Sequence, residues 1–124
     1  MLTLPPSVRI YLAAGPVDLR KSIDGLGALA SERCHDLYSG HLFVFTSRRG
    51  DRIKILAWDR GGFVLYYKRL ERGRFRLPEV APGAAEVQLE ATQLAMLLDG
   101  IDVKRVKAPP RWEPQRSVAM AKKT

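Results

Sequence analysis

Residues 42–69 read LFVFTSRRGDRIKILAWDRGGFVLYYKR, and this stretch decides the fold. Three runs rich in apolar, β-branched and aromatic residues are separated by two short polar turns, Arg48–Asp51 and Asp59–Gly62. Turns this short join neighbouring antiparallel strands. The stretch therefore predicts an antiparallel meander with strands over 42–46, 53–58 and 63–69.

Two further elements are predicted before the meander. Val8–Ala13 alternates apolar and polar residues, which indicates a short strand that Gly15 and Pro16 terminate. Asp18 is the predicted N-cap of a helix that runs to about Cys34. The apolar positions of this helix recur at helical spacing: Leu19, Ile23, Leu26, Leu29 and Ala30.

The sequence after the meander predicts a fourth strand at Phe75–Leu77, a connector at 78–85 and a second helix from about Glu90 to Leu98, with Gly100 at its C-terminal cap. The expected fold class is α+β: an antiparallel meander of four to five strands, with two helices packed on one face. Residues 1–103 are predicted to form a single domain. Residues 104–124, basic and interrupted by prolines, are predicted to be a flexible, disordered tail.

Composition narrows the class of protein. The chain has 124 residues, of which 46% are hydrophobic, so it can bury a core without disulfides or metal. One cysteine, Cys34, excludes an intramolecular disulfide framework and suits a reducing compartment. No stretch approaches the roughly 20 apolar residues that span a bilayer, and the N-terminus lacks the features of a signal peptide. We therefore expect a cytoplasmic protein that does not interact with membranes.

The positive charge is concentrated in two parts of the chain. The net charge is +8, yet residues 48–76 hold ten Arg or Lys against three acids, whereas residues 77–102 hold five acids and no Arg or Lys. Residues 103–124 again carry seven Arg or Lys against one acid. Arginine outnumbers lysine eight to two in the 48–76 block, and its planar fork matches phosphate geometry. This distribution favours a polyanionic partner over a merely soluble basic surface.

The second predicted strand suggests how those cations are presented. Lys54 shares one face with Leu56 and Trp58, and the opposite face, which includes Ile53, is expected to pack on the core. The Lys54 face is expected to be open, with arginines at its rims and aromatic residues nearby that are more typical of strand pairs than of base-stacking platforms. The candidate nucleic-acid-binding residues are Arg48, Arg49, Arg52, Lys54, Arg60, Lys68, Arg69, Arg72 and Arg74.

Sequence patterns give little support to catalysis. His35, His41 and Cys34 do not match the spacing of a zinc site or of a nucleophile–base pair. Carboxylate pairs such as Asp18 with Asp24, or Asp51 with Asp59, would suit a metal-dependent nuclease, but these residues are better explained as cap and turn residues. We therefore expect no enzymatic activity and no cofactor.

The chain resembles the family of small accessory proteins encoded by the second reading frame of insertion-sequence-sixty-six-type transposable elements. This family is named TnpB but is unrelated to the RNA-guided nucleases of the same name. The resemblance covers roughly residues 4–103. It is carried by Asp18–Leu26, Ser39–Phe45, Arg48-Arg49, Asp51–Lys54, Trp58-Asp59, Lys68–Phe75 and Gln93–Asp102. It implies a protein that acts beside a separate, large transposase, and it implies no catalytic residues for this chain.

Three hypotheses about function follow. The first is a non-catalytic module that binds element DNA through the 48–76 basic surface and assists the transposase. The second is an adaptor that docks on the transposase through the acidic 77–102 segment and the exposed edge of the meander, without binding DNA. The third is a small metal-dependent nuclease.

Overall fold

The computed structural model describes Pro5, residues 7–33 and residues 35–100. Cys34 and the predicted tail at 104–124 lie outside the described residues. The α+β class is confirmed. The elements are β1 (Ile10–Ala13), α1 (Ile23–Glu32), β2 (Leu42–Thr46), β3 (Arg52–Asp59), β4 (Gly62–Arg69), β5 (Glu86–Leu89) and α2 (Ala91–Leu98).

One sheet holds all five of these strands, in the order β4-β3-β2-β1-β5. The β2-β3-β4 meander is antiparallel, as predicted, and β5 is antiparallel to β1. The prediction of a wholly antiparallel sheet is wrong at one pair, because β1 and β2 are parallel. The reason is that α1 connects them and returns the chain to the other end of the sheet before β2 begins.

The fourth strand predicted at Phe75–Leu77 does not form. Phe75 is instead a single buried anchor, 5% exposed, whose N–H donates to the carbonyl of Gly50 at 2.7 Å. The fifth strand comes from Glu86–Leu89, which sequence analysis missed, and it pairs Leu89 with Ile10. Four residues with only two apolar side chains, directly after a Pro- and Gly-rich connector, give too weak an alternation to recognise.

The two helices cover opposite faces of the sheet, so the prediction that both pack on one face is wrong. On one face, Ile53 and Ile55 of β3 join a buried cluster with Leu94 and Leu97 of α2. On the other face, Leu56 belongs to a buried cluster with Leu26 and Ala30 of α1. Successive side chains in a strand point to opposite faces, and the central strands carry apolar residues at both sets of positions. Each face therefore requires its own helix.

The helix ends differ in how well the sequence predicted them. The C-terminal helix is confirmed: the side chains of Glu90 and Gln93 form a reciprocal capping box, and Gly100 follows the last turn with φ +80°. The predicted cap at Asp18 is wrong, since α1 begins at Ile23 after Ser22. Asp18 accepts hydrogen bonds from Arg20 instead, and residues 17–22 form a loop.

We expect Leu56→Ala to lower the free energy of unfolding by about 2–5 kcal/mol, because it opens a cavity beneath α1 at a fully buried position. Leu65, its register partner on the edge strand β4, is only partly buried, so Leu65→Ala should cost about 1 kcal/mol. Urea unfolding of both variants measures the difference. Equal losses would contradict the assignment of Leu56 to a closed core beneath α1.

Candidate nucleic-acid interface

The loop after β4 folds back onto the β2–β3 turn. The N–H of Leu70 donates to the carbonyl of Asp51, and the N–H of Phe75 donates to that of Gly50, each at 2.7 Å. Gly50 has φ +77°, and a Cβ there would lie 3.6 Å from the Cβ of Arg74. The loop that holds Arg72 and Arg74 is therefore fixed beside the turn that holds Arg48 and Arg49.

The strand ends at this position add two more cations. Arg52, the first residue of β3, is the register partner of Arg69, the last residue of β4, and both are exposed. Like charges directly opposite each other on neighbouring strands are unfavourable. Among the contacts of the described residues, Arg69 has a carboxylate partner and Arg52 has none: Arg69 Nε donates to Glu71 Oε2 at 3.1 Å. This pairing of two arginines at one edge raises the local positive charge.

The loop between β1 and α1 forms the other wall of a cleft. The N–H of Val17 donates to the carbonyl of Thr46 at 2.9 Å, which holds this loop against the end of β2. The resulting cleft has a volume of about 520 Å³. The charged side chains that line it are Arg20, Arg48, Arg49, Arg52, Asp18 and Asp51.

Arg20 is the residue that sequence analysis missed at this end of the sheet. It lies 28 positions before Arg48 and outside the basic block. The signal that would have found it is the parallel pairing of β1 with β2. Parallel strands have their carboxyl ends at the same edge of a sheet, so the loops that follow them must meet.

Arg20 and Asp18 form an exposed bidentate pair. Arg20 Nη2 donates to Asp18 Oδ2 at 2.7 Å, and Arg20 Nε reaches both carboxylate oxygens at 3.0 Å. The hydrogen bonds from the Arg20 side chain, followed by the one from its backbone N–H, hold the pKa of the Asp18 carboxyl well below its usual range. The Arg20 side chain is 92% exposed and stays accessible to solvent in this pair.

Two of the candidate cations serve the fold. Lys54 Nζ donates to the carbonyls of Leu19 and Lys21, at 2.7 and 3.0 Å, and lies 5.2 Å from the centre of the Tyr67 ring. The prediction that its face is open is therefore wrong: α1 and the loop before it cover this face, with Leu56 fully buried beside Lys54. Lys68 Nζ donates at 2.6 Å to the carbonyl of Leu98, in the last turn of α2. Both ammonium groups donate to backbone carbonyls, and the one that Lys68 contacts belongs to the last turn of α2, where carbonyls have no partner within the helix.

Arg60 lies away from the other candidates. It occupies the β3–β4 turn, and the eight residues of β3 separate this turn from Arg52, a distance of about 23 Å along the strand. The same separation applies to Asp51 and Asp59, which therefore do not share a metal site. Within the described residues, no group of three or more His, Cys, Asp or Glu side chains is arranged to hold a metal ion.

The exposed aromatic residues of the described part of the chain lie near the Arg60 end, at Tyr38, or on β4, at Tyr66 and Tyr67. Trp58 packs edge-on against its register partner Phe63 and against Tyr38, with ring centroids 5.1 and 5.0 Å apart. Tyr66 and Tyr67 of β4 are about half exposed. None of the described residues that line the arginine cleft is aromatic. The cleft is therefore suited to phosphate groups rather than to stacked bases.

We call the cation-rich edge of the sheet the basic end, and it is defined by seven side chains. Six are sequence candidates that the structure brings together, and Arg20 is added to them. Three carboxylates, those of Asp18, Asp51 and Glu71, lie among them, so the net charge is positive. The members are Arg20, Arg48, Arg49, Arg52, Arg69, Arg72 and Arg74.

The fold and the basic end together define a small α+β protein with the cations of three loops gathered at one edge of a mixed sheet. A family model described as IS66 Orf2 like protein matches residues 8–108. The chain belongs to this family, which confirms the resemblance seen in the sequence. It is therefore a transposition-associated accessory protein of the insertion-sequence type.

Two relatives from Sinorhizobium fredii (strain NBRC 101917 / NGR234) cover most of the chain. Uncharacterized protein y4jC is 39% identical over 110 residues, which is 88% of this chain and 92% of the relative. Uncharacterized protein y4hO is 35% identical over 118 residues, 94% of this chain and 98% of the relative. No solved structure gave a significant match. Among the described residues, no helix has the length and apolar character needed to cross a membrane.

We expect Arg20→Gln to raise the pKa of Asp18 towards its ordinary value of 3.8, because the largest cause of its depression is lost. Lys21→Gln is the control and should shift it less, since the charge of Lys21 is the smallest cause. Carboxyl-detected NMR titration measures both. The ionised Asp18 favours the folded state, and this contribution is complete above pH 3.8 and is lost as the pH falls below it. An unchanged Asp18 pKa in Arg20→Gln would contradict the conclusion that the ion pair with Arg20 lowers this pKa.

Proposed function

We propose that the protein binds DNA through the phosphate backbone at its basic end and thereby assists a separate transposase. The observation that supports this most directly is the cleft in which Arg20, Arg48, Arg49 and Arg52 converge from two loops and a strand. Arg72 and Arg74 extend the same surface. Membership of a transposition-associated family supports DNA as the polyanion.

The chemistry of the surface favours backbone contact over base reading. Arg48, Arg49, Arg72 and Arg74 are exposed and have no carboxylate partner among the described contacts. Guanidinium groups bind phosphate oxygens in a bidentate manner, and such contacts position a protein on a duplex without selecting sequence. Specificity for element ends would then come from the transposase or from DNA shape.

The proposed role is non-catalytic and needs no cofactor. The basic end offers guanidinium groups, which stabilise phosphate charge, and its carboxylates at Asp18 and Glu71 are paired with arginines. A protein of this kind would hold or bridge DNA while the transposase performs strand cleavage and joining. Its proposed partners are therefore DNA and the transposase.

A second candidate function is an adaptor that docks on the transposase without contacting DNA. Strand β4 supports it, because it is an edge strand of the sheet with exposed Val64, Tyr66 and Tyr67. Edge strands of this kind accept an added strand from a partner. Binding to purified transposase that is insensitive to salt, together with no affinity for duplex DNA, would select the adaptor.

We expect Arg48→Ala/Arg49→Ala and Arg72→Ala/Arg74→Ala each to weaken duplex binding and to reduce the slope of log affinity against log salt by about 2, since each lost phosphate contact contributes about 0.9. Arg60→Ala removes one positive charge, half as many as each double variant, in a turn at the far end of β3, so it should leave affinity and slope unchanged. Fluorescence anisotropy with a labelled element-end duplex and a scrambled duplex, at several salt concentrations, measures these values.

The same titrations separate the alternatives. An effect of Arg60→Ala about half as large as that of each double variant would mean that binding follows net charge rather than the basic end. Unchanged affinity in both double variants, with binding lost when residues 104–124 are removed, would assign binding to the C-terminal segment. Absence of binding in the wild-type protein at low salt would refute the proposal and leave the adaptor.

A further inference from the structure

A second cleft lies on the α2 face, between that helix and the outer strands of the sheet. Its volume is about 400 Å³. Leu94, Ala95 and Leu98 form one wall, and Ile55, Val64 and Tyr66 form the floor and the other wall. We call this cleft the α2 groove. It is mainly apolar, although Val64 and Tyr66 are 43% and 46% exposed. Exposed apolar surface beside an unpaired strand edge is a feature that proteins usually cover.

The charges at the rim of the α2 groove are acidic. Asp59 and Asp99 both line it. Lys68 also lines it, but its ammonium group donates to the Leu98 carbonyl at 2.6 Å and faces the end of α2. An occupant that combines apolar side chains with lysine or arginine would match both the walls and the rim.

The chain itself supplies such a segment directly beside the groove. Asp99 lines the groove, and Gly100, with φ +80°, ends α2 and redirects the backbone. The residues that follow are Ile101-Asp102-Val103-Lys104-Arg105-Val106. They place apolar side chains at 101, 103 and 106 and two cations at 104 and 105. They lie outside the described residues.

The length of the α2 groove also agrees with the reach of the segment that follows Gly100. The run from Val64 to Lys68 along β4 spans about 13 Å. An extended chain covers that distance with about four residues. A segment attached at Gly100 therefore reaches along the groove without a gap, and its attachment gives it an effective concentration of the order of millimolar.

We propose that the α2 groove is an intramolecular docking site for residues 101–106 of this chain. Ile101 and Val103 together cover the exposed Tyr66 and Val64, with Val103 beside Tyr66, and Lys104 and Arg105 neutralise the acidic rim. This interaction covers the β4 edge and fixes the point from which the basic C-terminal segment leaves the domain. It involves the opposite face from the one that α1 covers and does not depend on DNA binding.

Disulfide trapping in the full chain tests the proposal. In a Cys34→Ser background, which leaves no native thiol, Tyr66→Cys is combined with Val103→Cys. The matched control combines Val103→Cys with Thr92→Cys, an exposed helical position that does not line the groove. We expect the groove pair to form an intramolecular disulfide at least about tenfold faster than the control pair, because docking raises the local thiol concentration.

Blocking the groove provides the second measurement. Ala95→Glu places a carboxylate in the apolar wall and should lower the rate of the groove pair to that of the control. Val64→Glu, at a partly exposed strand position, serves the same purpose if Ala95→Glu does not fold. Equal rates for the two pairs, or a groove-pair rate that neither blocking variant changes, would overturn the proposal. So would disulfide-linked dimers from the groove pair at micromolar protein, since they would make a second copy the occupant.

Discussion

The whole architecture depends on one constraint: the central strands are apolar on both faces. Phe43 and Phe45 of β2 are buried on the α1 face, and Val44 between them is buried on the α2 face. A sheet of this kind has no face to leave open to water, so it must be covered by a layer on each side. The two helices supply those layers. Charged side chains of the sheet that are open to solvent are therefore found at its ends and edges.

This constraint explains why the positive charge is not spread over a sheet face. The two lysines that lie within strands, Lys54 and Lys68, extend to backbone carbonyls of the loop before α1 and of the α2 end. Arginines occupy turns and strand termini, where the parallel β1–β2 pair and the loop that returns after β4 bring three segments together. The basic end is thus a consequence of topology as much as of composition.

The sequence predicted those elements of secondary structure that depend on residues close together in the chain. The meander followed from its turns, and α2 followed from its spacing and from Gly100. The sequence did not predict in this way how these elements are arranged relative to one another. The parallel β1–β2 pair, the short β5 and the separation of the helices onto two faces all rest on contacts between distant residues. For the candidate site, the sequence indicated six of the seven arginines, but it missed Arg20 and included two lysines that stabilise the fold.

The most direct test of the central claim is an NMR titration of the protein with an element-end duplex, following backbone amides. Binding at the basic end predicts shift changes confined to residues 16–21, 47–52 and 69–75, which disappear as salt is raised because the contacts are to phosphates. Shift changes centred on the β3–β4 turn at 59–62, or found only beyond residue 100, would contradict the account.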